Sequence, residues 1–375
     1  MRVSEINLYR VRMPLIEPWV TAYGSQEHIE SLFVNIKSGG VSGWGECSPA
    51  PLPLYNSEHT RGAYLIARDV LAPELIGKDI TSGQTLQELL RQFKGNEFSK
   101  SAFDNAWWDA YAISLRKPLW KVIGGKTPFI EVGADIPVQN TNQELIQRVS
   151  TAVNQGFKRV KLKFNRNCSF EMIVSLREKF PDLLIHIDCN SGFSFDDMEL
   201  FRELDQLNLT MIEQPFAYDD LIYHSRLQSE LQTPICLDES ITSIDRAKKA
   251  IEIGACKWIN IKTSRVGGLT NAIEIHDLCK SKEIPVWVGG MLESAVGQGA
   301  SIALATKDNV MYPSDIFPSD RFFRVDLSEP DINLEGKSSI RASETSGIGY
   351  KPKMKMLLNQ SIEKDQISLN QHINY

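Results

Sequence analysis

An ionisable residue recurs near the end of five consecutive strand-like runs, at almost constant spacing. Lys163, Asp188, Glu213 and Asp238 follow one another in steps of 25 residues, and Lys262 comes 24 residues after Asp238. A helix-like segment lies between most of these runs, so one strand–helix unit separates each residue from the next. About eight such units predict a parallel sheet covered by helices. If the sheet closes into a barrel, these side chains converge on its carboxyl-terminal mouth.

The strand-like runs occupy the middle of the chain. In order they read FIEVGADIPV, RVKLKF, DLLIHID, LTMIEQ, PICLDE, WINIKT, IPVWVGG and NVMYPSD. In RVKLKF, residues 159–164, apolar and cationic residues alternate, which indicates a strand with two different faces. The block from 128 to about 320 is near the low end of the length of a (β/α)8 barrel. We therefore predict a barrel domain at residues 126–322.

Two further regions flank the predicted barrel. Residues 1–125 combine N-terminal strand patterns with helical patterns, which predicts an α+β domain. Inside it, the apolar segment 13–25 contains two prolines, so we predict a loop that exposes or buries Trp19. Residues 323–375 lose the strand–helix rhythm and are predicted to return to the N-terminal domain.

Composition limits the classes of partner. The 375 residues are 42% hydrophobic and 23% charged, as in ordinary globular proteins. A net charge of −6 does not favour nucleic acid or an anionic membrane as a partner. No apolar run approaches the roughly 20 residues of a membrane span, and the charged N-terminus lacks a signal-peptide core. The six cysteines include no CxxC pair, so we interpret them as reduced thiols of a cytoplasmic protein.

Three carboxylates on adjacent strands suggest a cation site. Asp188, Glu213 and Asp238 would repel one another at a barrel mouth without a counter-charge. Their oxygen ligands suit Mg²⁺, with Mn²⁺ as an alternative, whereas zinc fits less well because no His or Cys shares the strand-end positions. Asn190 could add an outer-shell hydrogen bond. Glu239 follows Asp238 but faces the opposite way, and the 25-residue step favours Asp238.

Lysines flank the predicted anionic site in sequence. Lys161 and Lys163 lie about 6–7 Å apart on one strand face, and Lys262 follows the carboxylates. We expect neighbouring cations and a metal to lower a lysine pKa, which would let a lysine act as a general base. A metal and a lysine base together suggest proton abstraction next to a carboxylate, with an enediolate intermediate. His186 could also be a base, but we favour a hydrogen-bonded interior histidine.

A single Asp or Lys at a strand end is more often a cap or a surface ion pair, so the functional interpretation depends on the common register of the five residues.

The last two strand ends contribute further candidates. In WVGGMLES, two glycines leave room for a substrate beside Gly290 and Met291, and Glu293 could brace the site. In MYPSDIFPSD, Ser314 and Asp315 are candidate substrate-binding residues.

Six motifs together resemble the barrel signature of the enolase superfamily, muconate lactonizing enzyme subgroup. They are VKLKF, IDCNSGF, MIEQPF, CLDES, INIKTSRVGGL and WVGGMLESAVG. The last two are most similar to the branch of o-succinylbenzoate synthases and N-acylamino acid racemases, and WGECSPAP is typical of the capping domain. The resemblance implies an α/β fold: a modified (β/α)7β barrel of the TIM type, with an α+β capping domain formed by the N-terminal region and the C-terminal segment.

The resemblance also implies roles for individual residues. The implied metal ligands are Asp188, Glu213 and Asp238; the acid/base lysines are Lys163 and Lys262; and Lys161 is an auxiliary cation at the substrate carboxylate. The loops near 19–24 and 50–56 would lie over the barrel mouth. There, Trp19 and Tyr23 would either wall off the substrate or pack the seam between the domains.

The implied reaction is metal-dependent proton abstraction from a small-molecule carboxylate. We expect dehydration to o-succinylbenzoate, a menaquinone precursor, with N-acylamino acid racemisation as the alternative. A muconate cycloisomerase and an inactive metal-binding homologue are weaker alternatives. Dipeptide epimerases usually carry an Asp-x-Asp pair on the eighth strand, and this chain has only Asp315 there. We expect a homo-oligomer.

Overall fold

The computed structural model describes residues 1–21 and 24–369. The strands are β1 Glu5–Thr21, β2 Gly24–Ser38, β3 Val41–Cys47, β4 Phe129–Glu131, β5 Ala134–Ile136, β6 Arg159–Lys163, β7 Leu184–Asp188, β8 Met211–Glu213, β9 Ile235–Leu237, β10 Trp258–Ile261, β11 Val286–Val288, β12 Ser328–Glu329, β13 Ser339–Arg341, β14 Lys351–Pro352 and β15 Ser361–Ser368. The helices are α1 Thr60–Ile66, α2 Ala72–Leu75, α3 Gly83–Arg91, α4 Glu97–Ser114, α5 Leu119–Val122, α6 Asn142–Gln155, α7 Phe170–Lys179, α8 Met198–Leu204, α9 Ile222–Glu230, α10 Ile244–Glu252, α11 Leu269–Ser281, α12 Ala295–Ala305 and α13 Met354–Gln360. A π-helical turn, Ala67–Leu71, joins α1 to α2, and 3₁₀ turns occur at Phe195–Asp197, Asp205–Leu207 and Ser319–Arg321.

Seven parallel strands, β5 to β11, form one sheet in sequence order. A further segment connects β11 to the residues just before β5: the Met311 amide donates to the Val286 carbonyl at 2.9 Å, and the Gly133 amide donates to the Ser314 carbonyl at 3.2 Å. The eighth strand is therefore reduced to a few bridges between β11 and the start of the barrel. This architecture confirms the predicted (β/α)7β fold class.

Local sequence explains why each strand–helix unit forms, as α6 illustrates. The Thr141 side chain caps the helix by accepting from the Glu144 amide at 3.2 Å. Leu145, Val149 and Ala152 recur at helical spacing and are buried. Gly156 ends the helix with φ +95°, a left-handed conformation that favours glycine. The chain then enters β6.

The capping domain is built on an antiparallel sheet in the order β15-β1-β2-β3. Strand β15 comes from the C-terminal segment and pairs with β1 from Glu5 opposite Ser368 to Val11 opposite Ser361. Helices of the N-terminal region cover one face and enclose a separate hydrophobic core. Both ends of the chain thus build the capping domain, as predicted, while the exact boundaries at residues 125 and 322 stay predictions.

The predicted loop at 13–25 is wrong within the described residues, because the segment extends β1 and β2 into a long hairpin arm. Met13 pairs with Ile29 and Trp19 with Gln26, with a register shift between Pro14 and Trp19. Strand β15 leaves β1 after Val11, and beyond that point the arm pairs with β2 on one side and, on the other, the Ile16 amide donates to the Phe322 carbonyl at 2.9 Å. A proline is tolerated where one side of a strand has no partner.

Close packing in the capping domain depends on two glycines of β3. A Cβ atom on Gly43 would lie 2.2 Å from the Ala106 carbonyl oxygen, and one on Gly45 would lie 2.1 Å from that of Ala102. Both partners are in α4, so the strand lies directly against this helix. This packing against α4 places the end of β3 next to the barrel.

Within the described part of the chain, every helix is too short or too polar to span a membrane.

Candidate active site

The three predicted carboxylates lie at the carboxyl ends of neighbouring strands and are buried. Asp188 at the end of β7 pairs in register with Glu213 at the end of β8. Glu213 in turn pairs with Cys236, so Asp238 lies two residues further along its strand. Because side chains alternate with a period of two, this offset keeps Asp238 on the same face. The 25-residue steps therefore bring the three carboxylates to one side of the barrel mouth.

Two of the carboxylates are paired with the predicted catalytic lysines. Lys163 Nζ donates to Asp188 Oδ2 at 2.6 Å, and Lys262 Nζ donates to Asp238 Oδ2 at 2.9 Å. The Arg265 guanidinium also donates to Asp238. The lysines therefore supply the counter-charge that the carboxylates need in this structure.

Opposite charges decide the pKa values of Asp238 and Lys262. Burial alone would raise the pKa of Asp238, but Lys262 and Arg265 lower it to about 2. Burial would likewise lower the pKa of Lys262, yet Asp238 holds it above its usual value. The expectation of a lowered lysine pKa is thus wrong for Lys262 in this arrangement, because Asp238 is a closer partner than the other cations.

Glu213 is in a different position from the two aspartates. Burial, together with Asp188 and Asp238, raises its pKa well above the usual value. Its Oε1 accepts a hydrogen bond from Asn260 Nδ2 at 2.7 Å, whereas its Oε2 is buried without a hydrogen-bond partner in the structure. This oxygen lies 3.3 Å from His186 Nε2 and 3.8 Å from Lys161 Nζ, so it makes no hydrogen bond but faces two nitrogen atoms.

A divalent cation fits the donor set, although the side chains are not arranged as a ready cluster. Within residues 1–21 and 24–369, no group of three or more His, Cys, Asp and Glu side chains is placed to hold a metal ion. The donors are nonetheless three buried carboxylates, one of which has an oxygen that makes no hydrogen bond, and such oxygen ligands suit a hard cation such as Mg²⁺. Lys163 and Lys262 hold Asp188 and Asp238 in the orientations that a cation would have to change.

Lys161 lies deeper, in a buried ionic network of the barrel. It contacts Asp315 closely and lies 3.3 Å from Asp135, 3.6 Å from Asp188 and 3.8 Å from Glu213. Burial would lower its pKa, but these carboxylates raise it well above the usual value. Lys161 is therefore a fixed cation, as its predicted auxiliary role requires.

Arg159 completes this network beneath the mouth. Its guanidinium lies 3.0 Å from Asp135 Oδ1 and 2.6 Å from Asp315 Oδ1. Asp315 thus faces Arg159 and Lys161. Ser314 is buried next to it, and its amide closes the barrel through Glu131.

One cavity between the capping domain and the barrel is lined by both predicted acid/base lysines. Its lining consists of Trp19, Thr21, Gln26, Ile29, Ser48, Ala50, Tyr55, Asp135, Lys161, Lys163, Asn190, Lys262, Gly290, Met291, Leu292 and Phe317. The predicted candidates Glu239, Glu293, Ser314 and Asp315 do not line it. Tyr23 lies outside the described residues. The cavity is thus bounded by strand-end lysines below and by the hairpin arm above.

Trp19 lies both at the seam between the domains and at the cavity. Its indole packs edge-on against Phe322, with ring centroids 5.4 Å apart, and the Arg321 guanidinium lies 5.5 Å from its ring centroid. The same residue lines the cavity. It therefore packs the seam and walls the site at once.

The remaining predicted residues are all buried. The Asn190 amide donates to Asp188 Oδ1 at 3.0 Å, and Asn190 Nδ2 donates to Glu239 Oε1 at 3.3 Å. Glu293 accepts from Ser264 Oγ at 2.7 Å and from the Met291 amide at 3.0 Å. His186 is a buried interior histidine whose Nδ1 lies 3.1 Å from the Tyr312 hydroxyl, and burial lowers its pKa.

Sequence reasoning missed several residues at the mouth. The Tyr55 hydroxyl, from the capping domain, lies 3.4 Å from both oxygens of Asp238 and 3.3 Å from Lys262 Nζ. Arg265 follows Lys262 in a turn, so no strand periodicity marks it. Asn260 has the same strand parity as Lys262, and that signal could have identified it.

The sequence matches two described protein families over most of its length. Residues 4–124 match the mandelate racemase/muconate lactonizing enzyme N-terminal domain, and residues 144–356 match the enolase C-terminal domain-like family. The chain is 38% identical to an o-succinylbenzoate synthase from Geobacillus stearothermophilus, covering 93% of both chains. It is 36% identical to an N-succinylamino acid racemase from Thermus thermophilus, covering 94% of this chain and 96% of that protein.

A solved structure shows the same fold. The crystal structure of an enolase superfamily member from Listeria innocua Clip11262 superposes with a TM-score of 0.95 at 37% identity. The match covers 99% of this chain and 100% of that one.

Proposed function

The chain belongs to the enolase superfamily, within the muconate lactonizing enzyme subgroup, and we propose that it is an o-succinylbenzoate synthase. The reaction is the metal-dependent syn-dehydration of 2-succinyl-6-hydroxy-2,4-cyclohexadiene-1-carboxylate. The observation that carries the proposal is that Lys163 and Lys262 line one cavity from β6 and from the end of β10. These strands stand four positions apart in the sheet, so a substrate between them meets a lysine from each side.

In the proposed mechanism the chain supplies two lysines and a fixed cation. Lys163 removes the proton α to the substrate carboxylate, electrons move to form the new double bond, and the carbon–oxygen bond to the hydroxyl breaks. Lys163 then returns the proton to the leaving hydroxide, which departs as water. Lys262 faces the intermediate as a cation, and Lys161 binds the substrate carboxylate.

Enzymes of the superfamily depend on a divalent metal, and we propose Mg²⁺, with Mn²⁺ as the alternative. Asp188, Glu213 and Asp238 would hold it through carboxylate oxygens. A bound divalent cation supplies positive charge that favours ionisation next to a carboxylate. If Asp188 and Asp238 served as ligands, their charge would be shared with the cation, which would weaken their pairing with Lys163 and Lys262 and favour contact of both lysines with the substrate.

N-succinylamino acid racemisation is the second candidate. In that reaction one lysine removes the α-proton and the other delivers a proton to the opposite face, which uses the same cavity and the same two lysines. The similarity to the racemase from Thermus thermophilus supports it. Dipeptide epimerisation has less support, because Asp315 is engaged by Arg159 and Lys161 and does not line the cavity.

Assays of both reactions with the purified protein test the proposal. Efficient dehydration supports synthase activity, and racemisation without dehydration supports the alternative. A cytoplasmic location and a homo-oligomeric state, both predicted from the sequence, complete the proposal.

A further inference from the structure

A buried carboxylate of the capping domain caps a barrel helix. Glu46, at the end of β3, accepts hydrogen bonds from the amides of Ser294 at 3.2 Å and Gly297 at 3.0 Å. These amides belong to the first turn of α12, where backbone donors have no partner within the helix. Ser294 Oγ donates to the same carboxylate. The N-terminus of a barrel helix is thereby tied to the capping sheet.

The segment before α12 forms a wall of the active-site cavity. Gly290, Met291 and Leu292 line the cavity, and Met291 also packs against the core of the capping domain. Glu293 links this segment to the turn after Lys262, because it accepts from both the Met291 amide and Ser264. Any shift of the α12 N-terminus would therefore move the cavity wall.

The local sequence is fitted to this contact. A Cβ atom on Gly297 would lie 2.7 Å from Glu293 Cβ and 3.0 Å from Glu46 Oε2. A side chain at position 297 would therefore force Glu293 to shift and would also crowd the Glu46 carboxylate. The ESAVG motif thus combines Glu293, the capping Ser294 and a glycine that leaves space for Glu46.

A second carboxylate of the capping domain caps the preceding barrel helix, α11, in the same way. Asp104 of α4 accepts from the Thr270 amide at 2.9 Å and from Thr270 Oγ at 2.7 Å, in the first turn of α11. Burial raises the pKa of Asp104 to about 6, and burial together with Glu293 raises that of Glu46 to about 8. Carboxylates that are costly to bury thus lie at these two contacts between the capping domain and the barrel helices.

We propose that Glu46 is a positioning residue of the active site. By capping α12 from the other domain, it fixes the segment 289–294 and so the wall formed by Gly290 and Met291. The wall contacts substrate without carrying the reacting groups, so loss of Glu46 should weaken substrate binding more than the chemical step. The kinetic part of the test rests on the proposed function, whereas the exchange measurement below does not.

The experiment compares Glu46→Gln with Asp109→Asn. Asp109 is a matched control because it is equally buried in the capping domain and accepts two backbone amides, from Trp44 and Ile348, both at 2.8 Å. Neither amide belongs to the cavity wall. For Glu46→Gln we expect KM to rise about tenfold with kcat within about threefold of wild type. For Asp109→Asn we expect both constants within about twofold of wild type despite a lower Tm.

Hydrogen–deuterium exchange provides the readout that is independent of activity. Peptides covering 289–297 should exchange faster in Glu46→Gln than in wild type, and not in Asp109→Asn. If Glu46→Gln does not fold, Ser294→Ala removes one of the same hydrogen bonds and should show a smaller change in both readouts. A Glu46→Gln protein with a lower Tm but unchanged KM and unchanged exchange at 289–297 would overturn the proposal. If the wild type catalyses neither reaction, the proposed function fails and exchange alone decides the positioning role.

Discussion

Lys163 and Asp188 are register partners on neighbouring parallel strands, and Lys163 Nζ lies 2.6 Å from Asp188 Oδ2. Lys262 and Asp238 form the same kind of pair on the other side of the mouth. In our proposal each pair consists of a metal ligand and an acid/base residue. Metal binding should therefore separate each lysine from the carboxylate that neutralises it. The lysine that acts as the base would then be available to the substrate when the metal is bound.

The first prediction concerns metal dependence. Exhaustive chelation should abolish activity, and Mg²⁺ or Mn²⁺ should restore it, because the three carboxylates are the proposed ligands. Glu213→Gln should weaken metal affinity by more than about 100-fold, since the amide keeps the bond with Asn260 but loses the charge. Titration calorimetry measures the affinity.

The fold of Glu213→Gln should survive, because burial and two neighbouring carboxylates already disfavour the ionised Glu213. Asp109→Asn, which changes a buried carboxylate far from the mouth, should bind metal as the wild type does. Full activity after removal of all divalent metal would contradict the assignment of the three ligands.

The second prediction concerns Trp19. Trp19→Ala should raise KM by at least about tenfold, because the indole lines the cavity. It should also lower the free energy of unfolding by about 2–4 kcal/mol, because the same ring packs on Phe322. Steady-state kinetics and urea denaturation measure the two effects.

Trp44→Ala is the control for this second prediction. Trp44 packs on Tyr9 in the capping sheet and does not line the cavity. The Trp44→Ala protein should have a lower free energy of unfolding than the wild type, with KM unchanged. A Trp19→Ala protein that loses stability but keeps the wild-type KM would show that the residue only packs the seam.

The third prediction concerns pH-dependent stability. Glu58 accepts from the Phe98 amide at 3.0 Å and the Ser99 amide at 3.3 Å, and burial raises its pKa from 4.5 to about 7. Glu97 faces it and also raises the pKa. The folded state therefore binds a proton more tightly than the unfolded state, so stability falls as pH rises from about 4.5 to about 7.

Glu58→Gln should remove this contribution, which is on the order of 3 kcal/mol across that window. Urea unfolding at several pH values should thus show a shallower decline for the variant than for the wild type. Parallel curves for the two proteins would mean that Glu58 keeps an ordinary pKa in the folded state.

Strand periodicity could predict the barrel and the approach of the five ionisable residues, because both depend on local alternation and constant unit length. The exact register could not be predicted: Asp188 lies opposite Glu213, but Asp238 is offset by two residues from its expected partner. The prediction that Asp238 lies beside the other two carboxylates does not depend on this offset, since a shift of two residues keeps a side chain on the same face of the strand.

Contacts between residues that are far apart in the chain could not be predicted from the sequence. Tyr55 reaches Asp238 across 183 positions, and Arg265 lies in a turn with no periodic pattern. The raised pKa of Lys262 depends on its 2.9 Å contact with Asp238, a distance that spacing cannot give. Proline predicts a loop at 13–25, but β1 is no longer paired with β15 beyond Val11, so a proline can be accommodated in the hairpin arm.

The central claim is that Lys163 removes an α-proton to dehydrate the substrate while Lys262 faces the intermediate as a cation, and an assay in D₂O tests it most directly. Wild type, Lys163→Ala and Lys262→Ala are each given 2-succinyl-6-hydroxy-2,4-cyclohexadiene-1-carboxylate and, separately, an N-succinylamino acid. Product formation and deuterium at the α-carbon are measured, with metal content and folding checked for each variant. We predict efficient dehydration by the wild type and complete loss in both variants. Rapid racemisation by the wild type with negligible dehydration, or dehydration that survives in Lys163→Ala, would contradict this account.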